Sequence, residues 1–160
     1  MAESVVVAGS TKKERYESLL PQIGALIKGE SDLIANLSNL TSALKYGMEF
    51  FWVGFYFVKG EELVLGPFQG TVACTRIAYG KGVCGKAWES KKAIVVEDVD
   101  HFPGHIACSS ESKSEIVLPV FDKSGRVFMV LDVDSNKLMD FGEVDKFYLQ
   151  KIVKIVEDIC

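Results

Sequence analysis

The run Phe50-Phe51-Trp52-Val53-Gly54-Phe55-Tyr56-Phe57-Val58 constrains this chain more than any other feature. Aromatic and β-branched residues at nearly every position favour an extended strand. Successive side chains of a strand point to opposite faces. A run that is apolar in both registers is therefore buried on both faces, at the centre of a sheet with material above and below it. Lys59-Gly60-Glu61 turns the chain and residues 62–68 bring it back, which makes a hairpin that frays at Gly66-Pro67. A second hairpin is predicted from residues 115–121, the turn Asp122-Lys123-Ser124-Gly125, and residues 126–134.

Helical periodicity supplies the cover. Residues 12–28 carry Tyr16, Leu19, Leu20, Ile23 and Ile27 on one stripe, with Pro21 expected to kink or interrupt it. Residues 32–46 carry Leu33, Leu37, Leu40 and Leu44, with Ser31 or Asp32 as cap and Gly47 as stop. Residues 141–158 carry Val144, Phe147, Tyr148, Ile152, Ile155 and, just beyond, Ile159, and Asp140 and Glu143 have capping-box spacing. Residues 70–114 are irregular apart from a short helix at 82–90 and a short strand at 93–96. The long loop at 98–113 is of the kind that often carries function. The order predicts an α+β domain: a mostly antiparallel sheet with helices packed on one face and pocket loops on the other. Residues 1–10 read as a loose tail and 11–160 as a single domain.

The net charge of -4 argues against non-specific binding to nucleic acid or anionic membranes. No basic, apolar leader and no apolar stretch of membrane-spanning length is present, so the expected location is cytoplasmic. A reducing compartment changes how the four cysteines are read, because disulfides there are usually transient and catalytic. Cys74, Cys84 and Cys108 all fall in the irregular middle, at spacings that suit neither a metal knuckle nor a C-x-x-C pair. Converging loops would suit one thiol that attacks and another that resolves. A buried cysteine can also be a plain small hydrophobe. An attacking thiol needs a lowered pKa. Cys84 has a position in the first turn of a short helix beside Lys81 and Lys86, and Cys108 has His105 and His101 nearby in sequence, so both stay open as attacker.

Three motif matches fail on context. Gly80-Lys81-Gly82-Val83-Cys84-Gly85 is a literal G-x-G-x-x-G with Asp98 and Asp100 downstream, but no buried parallel strand precedes it. Asp132-Val133-Asp134-Ser135-Asn136 opens like a calcium loop, but Lys137 stands where the turn needs glycine. His101, His105 and Cys108 lack zinc-ligand spacing, and Pro103-Gly104 breaks any helix between the histidines. No metal and no cofactor are expected.

Strand alternation places Asp132 and Asp134 on one face, with Glu115 at the start of the neighbouring strand. Trp52 and Tyr56 share a face of the first strand. Three carboxylates and an aromatic wall suit a small cation with an apolar part, such as an amino acid. Taken singly, Trp52 reads equally well as core and Asp134 as a turn cap.

Several long runs resemble the free methionine-R-sulfoxide reductases: Gly66-Pro67-Phe68-Gln69-Gly70, Ala73-Cys74-Thr75-Arg76-Ile77, Gly80-Lys81-Gly82-Val83-Cys84-Gly85, Phe102-Pro103-Gly104-His105-Ile106-Ala107-Cys108, Ser114-Glu115-Ile116-Val117-Leu118-Pro119 and Leu131-Asp132-Val133-Asp134-Ser135. The resemblance covers nearly the whole chain after the tail. It implies a GAF-type fold with a six-stranded antiparallel sheet and a pocket under loops. It also implies thioredoxin-dependent reduction of free methionine-(R)-S-oxide, a role in oxidative-stress repair, and a homodimer. By position, Cys108 looks like the nucleophile and Cys74 and Cys84 like candidate resolving thiols. Glu115, Asp132 and Asp134 look like ligands of the substrate ammonium and the source of the acid. Trp52 and Tyr56 look like the wall around the methyl-sulfur end. Cys160 matches nothing in the pattern. Two other classes remain as alternatives: a GAF-type module that senses a small ligand without turnover, and a peroxide-reducing or redox-switch protein using the same thiols.

Overall fold

Trp52–Lys59 (β1) and Glu62–Gln69 (β2) form the first hairpin, and Ser114–Phe121 (β5) and Val127–Ser135 (β6) form the second, in a computed structural model that describes residues 4–160. Arg76–Ala78 (β3) and Ile94–Val96 (β4) are short edge strands. The sheet has six strands in the order β3-β2-β1-β6-β5-β4, and every neighbouring pair is antiparallel. The aromatic β1 lies inside the sheet, between β2 and β6.

Period-two alternation then sorts the side chains. Val53 and Phe55 of β1, Ile116, Leu118 and Val120 of β5, and Met129, Leu131 and Val133 of β6 face one way, into a core shared with the helices. Trp52, Tyr56, Val117 and Val130 face the other way, into a second core with Leu63, Ile77, Val83 and Ala87. Three helices cover the first face: Lys12–Ile27 (α1), Leu33–Met48 (α2) and Glu143–Ile159 (α4). The fourth, Gly82–Ser90 (α3), joins the loops on the opposite face, against β5 and β6. The helices are thus not all on one face.

Local details depart from the sequence expectations for physical reasons. α1 runs through Pro21, which lies on the exposed side, where solvent can satisfy the carbonyl that a proline leaves without its helical partner. Thr11 and Glu14 form its capping box. Gly47 does not stop α2. It lies inside the helix, where an added Cβ would come within 3.0 Å of Val7 and 3.3 Å of Leu19, and the chain leaves the helix at Glu49 with φ 62°. α4 starts at Gly142, whose N–H donates to the Asp145 carboxylate (3.0 Å), while Asp140 accepts from Ser135 Oγ. Its buried stripe is Tyr148, Leu149, Ile152, Val153 and Val156. Val144, Phe147 and Ile159 stay exposed, because this helix is apolar on two adjacent stripes and the sheet takes only one.

The tail expected to be loose is held over part of its length. The Val6 backbone exchanges two hydrogen bonds with the Gln22 amide, and the Ala8 N–H donates to Ser18. Val5 and Val7 pack on the core. Residues 1–3 of that tail lie outside the described residues. Among the described residues, no helix is long and apolar enough to cross a membrane.

Candidate active site

Register brings the carboxylates together. Trp52 pairs with Asp134 and Gly54 with Asp132 across β1 and β6, while Glu115 pairs with Asp134 across β5 and β6. All three acids therefore converge at one end of the sheet, on the face away from α1, α2 and α4. They line a pocket together with Trp52, Tyr56, Cys84, His105, Cys108 and Ser112.

Glycines seat the aromatic wall. A Cβ on Gly54 would lie 2.2 Å from the Trp52 ring and one on Gly70 2.4 Å from it. The indole is thus laid over bare backbone, and its Nε1 donates to the Thr71 carbonyl at 2.9 Å. Trp52 stacks with both Phe68 and Tyr56. The Tyr56 hydroxyl donates to the Cys74 carbonyl at 3.0 Å and so ties down the loop that carries this thiol.

The G-x-G-x-x-G run has a structural use. Gly80 and Gly82 take φ of 70° and 58°, left-handed values that favour glycine. A Cβ on Gly85 would meet the Ala78 carbonyl at 2.7 Å. The run packs the start of α3 against β3 and delivers Cys84 into the pocket floor. Cys74 and Cys108 are joined in a disulfide (Cα–Cα 5.2 Å) that links two loops, and Cys108 lines the pocket with Cys84. Cys84 is free and buried, and Cys160 is free and exposed.

The electrostatics are unusual. Glu115 and Asp132 are each only 6% exposed. Among the described residues, no lysine or arginine lines the pocket. Asp132 Oδ1 is buried without a hydrogen-bond partner. Burial, reinforced by the neighbouring carboxylates, pushes Glu115 and Asp134 well above the usual carboxylate range. Burial pushes Asp132 up to about 6. The same surroundings raise the Cys84 thiol, through burial first and then through Asp132 and Glu115. This reverses the expectation from helix position: burial, together with three acids, outweighs a short helix and two lysines that do not line the pocket.

The histidines separate. His101 is solvent-exposed and pairs with Asp98 at 2.7 Å, outside the pocket, so the His101–His105–Cys108 grouping weighed as a zinc site is not assembled. His105 turns its Nε2 towards Glu115 Oε2, at 3.9 Å, and burial lowers its pKa. Cys84, Glu115 and Asp132 do place ligand atoms within 4.8 Å of one another. Ser112, which the sequence did not single out, is buried and lines the pocket with Asp134. It lies in a loop with no periodicity to mark it. Gly54 and Gly70 did carry a signal, since glycine in or beside a strand often marks a close approach.

Three buried carboxyl groups, an aromatic wall and the Cys108 end of a disulfide thus line one pocket without a lysine or arginine among its described lining residues, an arrangement whose acids would ionise most readily beside a bound cation. Known proteins resemble this chain over nearly its whole length. A family model described as "GAF domain" matches residues 36–158. The chain is 57% identical to GAF domain-containing protein A of Dictyostelium discoideum, over 99% of this chain and 100% of that one. It is 41% identical to the free methionine-R-sulfoxide reductase of Saccharomyces cerevisiae, over 93% of this chain and 87% of that one. Among solved structures, the free methionine-R-sulfoxide reductase of Neisseria meningitidis in complex with its substrate superposes with a TM-score of 0.95 at 49% identity, covering 98% of this chain and 94% of that one.

Proposed function

The chain belongs to the free methionine-R-sulfoxide reductase family of GAF-domain proteins, and we propose that it reduces free methionine-(R)-S-oxide to methionine with Cys108 as the attacking thiol and Cys74 as the resolving one. The observation that carries this reading is the Cys74–Cys108 disulfide, whose Cys108 lines the pocket that holds Glu115, Asp132 and Asp134. In the reduced enzyme, the Cys108 thiolate attacks the sulfoxide sulfur and the oxygen is protonated. The substrate S–O bond breaks as the oxygen passes to the Cys108 sulfur, so methionine departs reduced and Cys108 is left oxidised as a sulfenic acid. The Cys74 thiol then displaces that oxygen as water and forms the disulfide. An external dithiol, thioredoxin in this reading, restores both thiols.

Glu115, Asp132 and Asp134 hold the substrate ammonium, and a carboxyl with a raised pKa is suited to protonate the sulfoxide oxygen near neutral pH. Trp52 and Tyr56 enclose the methyl-sulfur end. A peptide-bound methionine lacks the free ammonium and would leave these acids unpaired, and polar sites of this kind discriminate strongly against an analogue missing its partner. We assign the protein to the cytoplasm and, in keeping with the family, to a homodimer.

The test is turnover on the separated R and S epimers of free methionine sulfoxide with a dithiol reductant. Consumption of the R epimer, lost in Cys108→Ser, is expected. Ligand binding without turnover would favour a sensor, and full activity in Cys108→Ser would remove Cys108 from the attacking role.

A further inference from the structure

The proposed redox cycle uses Cys74 and Cys108 and leaves a third thiol, Cys84, buried among acids at the pocket floor. We infer that Cys84, Glu115 and Asp132 form a site for one thiophilic divalent cation, Zn2+, which occupies the pocket in place of substrate. Three separate elements supply the ligands: α3, β5 and β6. Cys84 Sγ lies 4.0 Å from Glu115 Oε1, and one ligand atom from each of the three residues falls within a 4.8 Å cluster. Tetrahedral zinc, with Zn–S of about 2.3 Å and Zn–O of about 2.1 Å, sets sulfur and oxygen about 3.6 Å apart. Small side-chain adjustments close that gap.

The second, independent observation is Asp132 Oδ1. This side chain is only 6% exposed, yet the oxygen has no hydrogen-bond partner. A buried acceptor left unpaired is costly, and a cation at the cluster relieves it. The donor set selects the ion. Calcium asks for six to eight oxygens and magnesium for an octahedron of oxygen ligands, while a thiolate with two carboxylates favours zinc or a similarly thiophilic ion. The fourth position is open to solvent or to His105, whose Nε2 is 3.9 Å from the other Glu115 oxygen. The residues at 84, 115 and 132 form no local motif, which is why the sequence carried no sign of a metal site there.

Such an ion shares Glu115 and Asp132 with the substrate ammonium proposed above, and its effect on turnover rests on that reading. The binding test does not. EDTA-treated protein with the Cys74–Cys108 disulfide intact is exchanged into metal-free buffer and titrated with Co2+ as a spectroscopic probe. One equivalent is expected to bind with a near-ultraviolet thiolate-to-cobalt absorption, which Zn2+ then displaces. Cys84→Ser should abolish that absorption and weaken Zn2+ at least tenfold against a chromophoric chelator. Cys160→Ser, which removes the other free thiol, should change neither. No thiolate absorption in the unaltered protein, its persistence in Cys84→Ser, or its loss in Cys160→Ser would each overturn the site. Sulfoxide turnover measured in EDTA tests the reductase reading separately: turnover without metal binding removes only the ion, and metal binding without turnover removes only the enzyme.

Discussion

Two buried carboxylates, one on each side of the same sheet, are treated in opposite ways. On the helix side, Asp145 is 2% exposed and fully partnered. It accepts from the Tyr16 hydroxyl at 2.7 Å, Lys12 Nζ at 3.0 Å and the Gly142 N–H at 3.0 Å. On the pocket side, Asp132 is nearly as buried, has acids and a thiol for neighbours, and keeps Oδ1 unpartnered. A buried charge with all its partners joins parts of the fold, here α1 to the start of α4. One with an oxygen left unpartnered lowers stability until something binds. Depth of burial alone would not tell the two apart; the partner list does.

Substitutions on the two sides should therefore act on different quantities. Asp145→Ala leaves the Lys12 ammonium and the Tyr16 hydroxyl without their partner. It should cost about 3–5 kcal/mol of stability in denaturant unfolding, while turnover per folded molecule is little changed. Asp132→Asn should do the reverse. Removing one of the carboxylates proposed to hold the substrate ammonium should lower kcat/KM for free methionine-(R)-S-oxide about a hundredfold, or ~3 kcal/mol, and the ligand-free protein should melt at an unchanged or higher temperature. Lost stability in Asp132→Asn together with intact turnover would end the contrast.

A smaller effect sharpens the same comparison through the aromatic wall. Gly70 has φ of 145°, and an added Cβ would sit 2.4 Å from Trp52. Gly70→Ala should cost about 1–3 kcal/mol and raise KM more than it lowers kcat, as read from steady-state kinetics.

The smallest effect is in the titrations, followed by carboxyl NMR in EDTA. Asp132, raised to about 6, should bind protons more tightly folded than unfolded. Its contribution is present below the ordinary carboxylate value and is lost as pH rises through about 6. Asp122, in the exposed turn between β5 and β6, is held at about 2 by Ser124 and Arg126. Its contribution is present above the ordinary value and is lost as pH falls through about 2. Midpoints in the same direction for both would contradict the difference in partnering.

Much of this was legible beforehand. Alternation assigned Asp132 and Asp134 to one face and Trp52 and Tyr56 to one face, because a strand's period is fixed by its backbone. Both hairpins and the α3 span were readable from turn residues and spacing. The stripe of α4 was not, since Leu149 and Val153 compete with Val144 and Phe147 and only the packed sheet chooses. Gly47 was misread for a similar reason: a glycine that admits a neighbour and one that ends a helix look alike until Val7 and Leu19 are in place. Ser112 and the turn of His105 towards Glu115 depend on loop paths that have no period.

The sequence by itself determined the two-sided sheet, the elements that cover it and the set of residues with chemistry to offer. Backbone periodicity and residue type are local properties, so those conclusions needed no neighbours. Only the tertiary structure decided how the cysteines divide, with Cys74 joined to Cys108 and Cys84 left free. It also decided the sign of the Cys84 pKa shift, because that sign depends on which charges lie close in space and how much water is excluded. Coulomb interactions and desolvation act across distances that residue numbers do not measure.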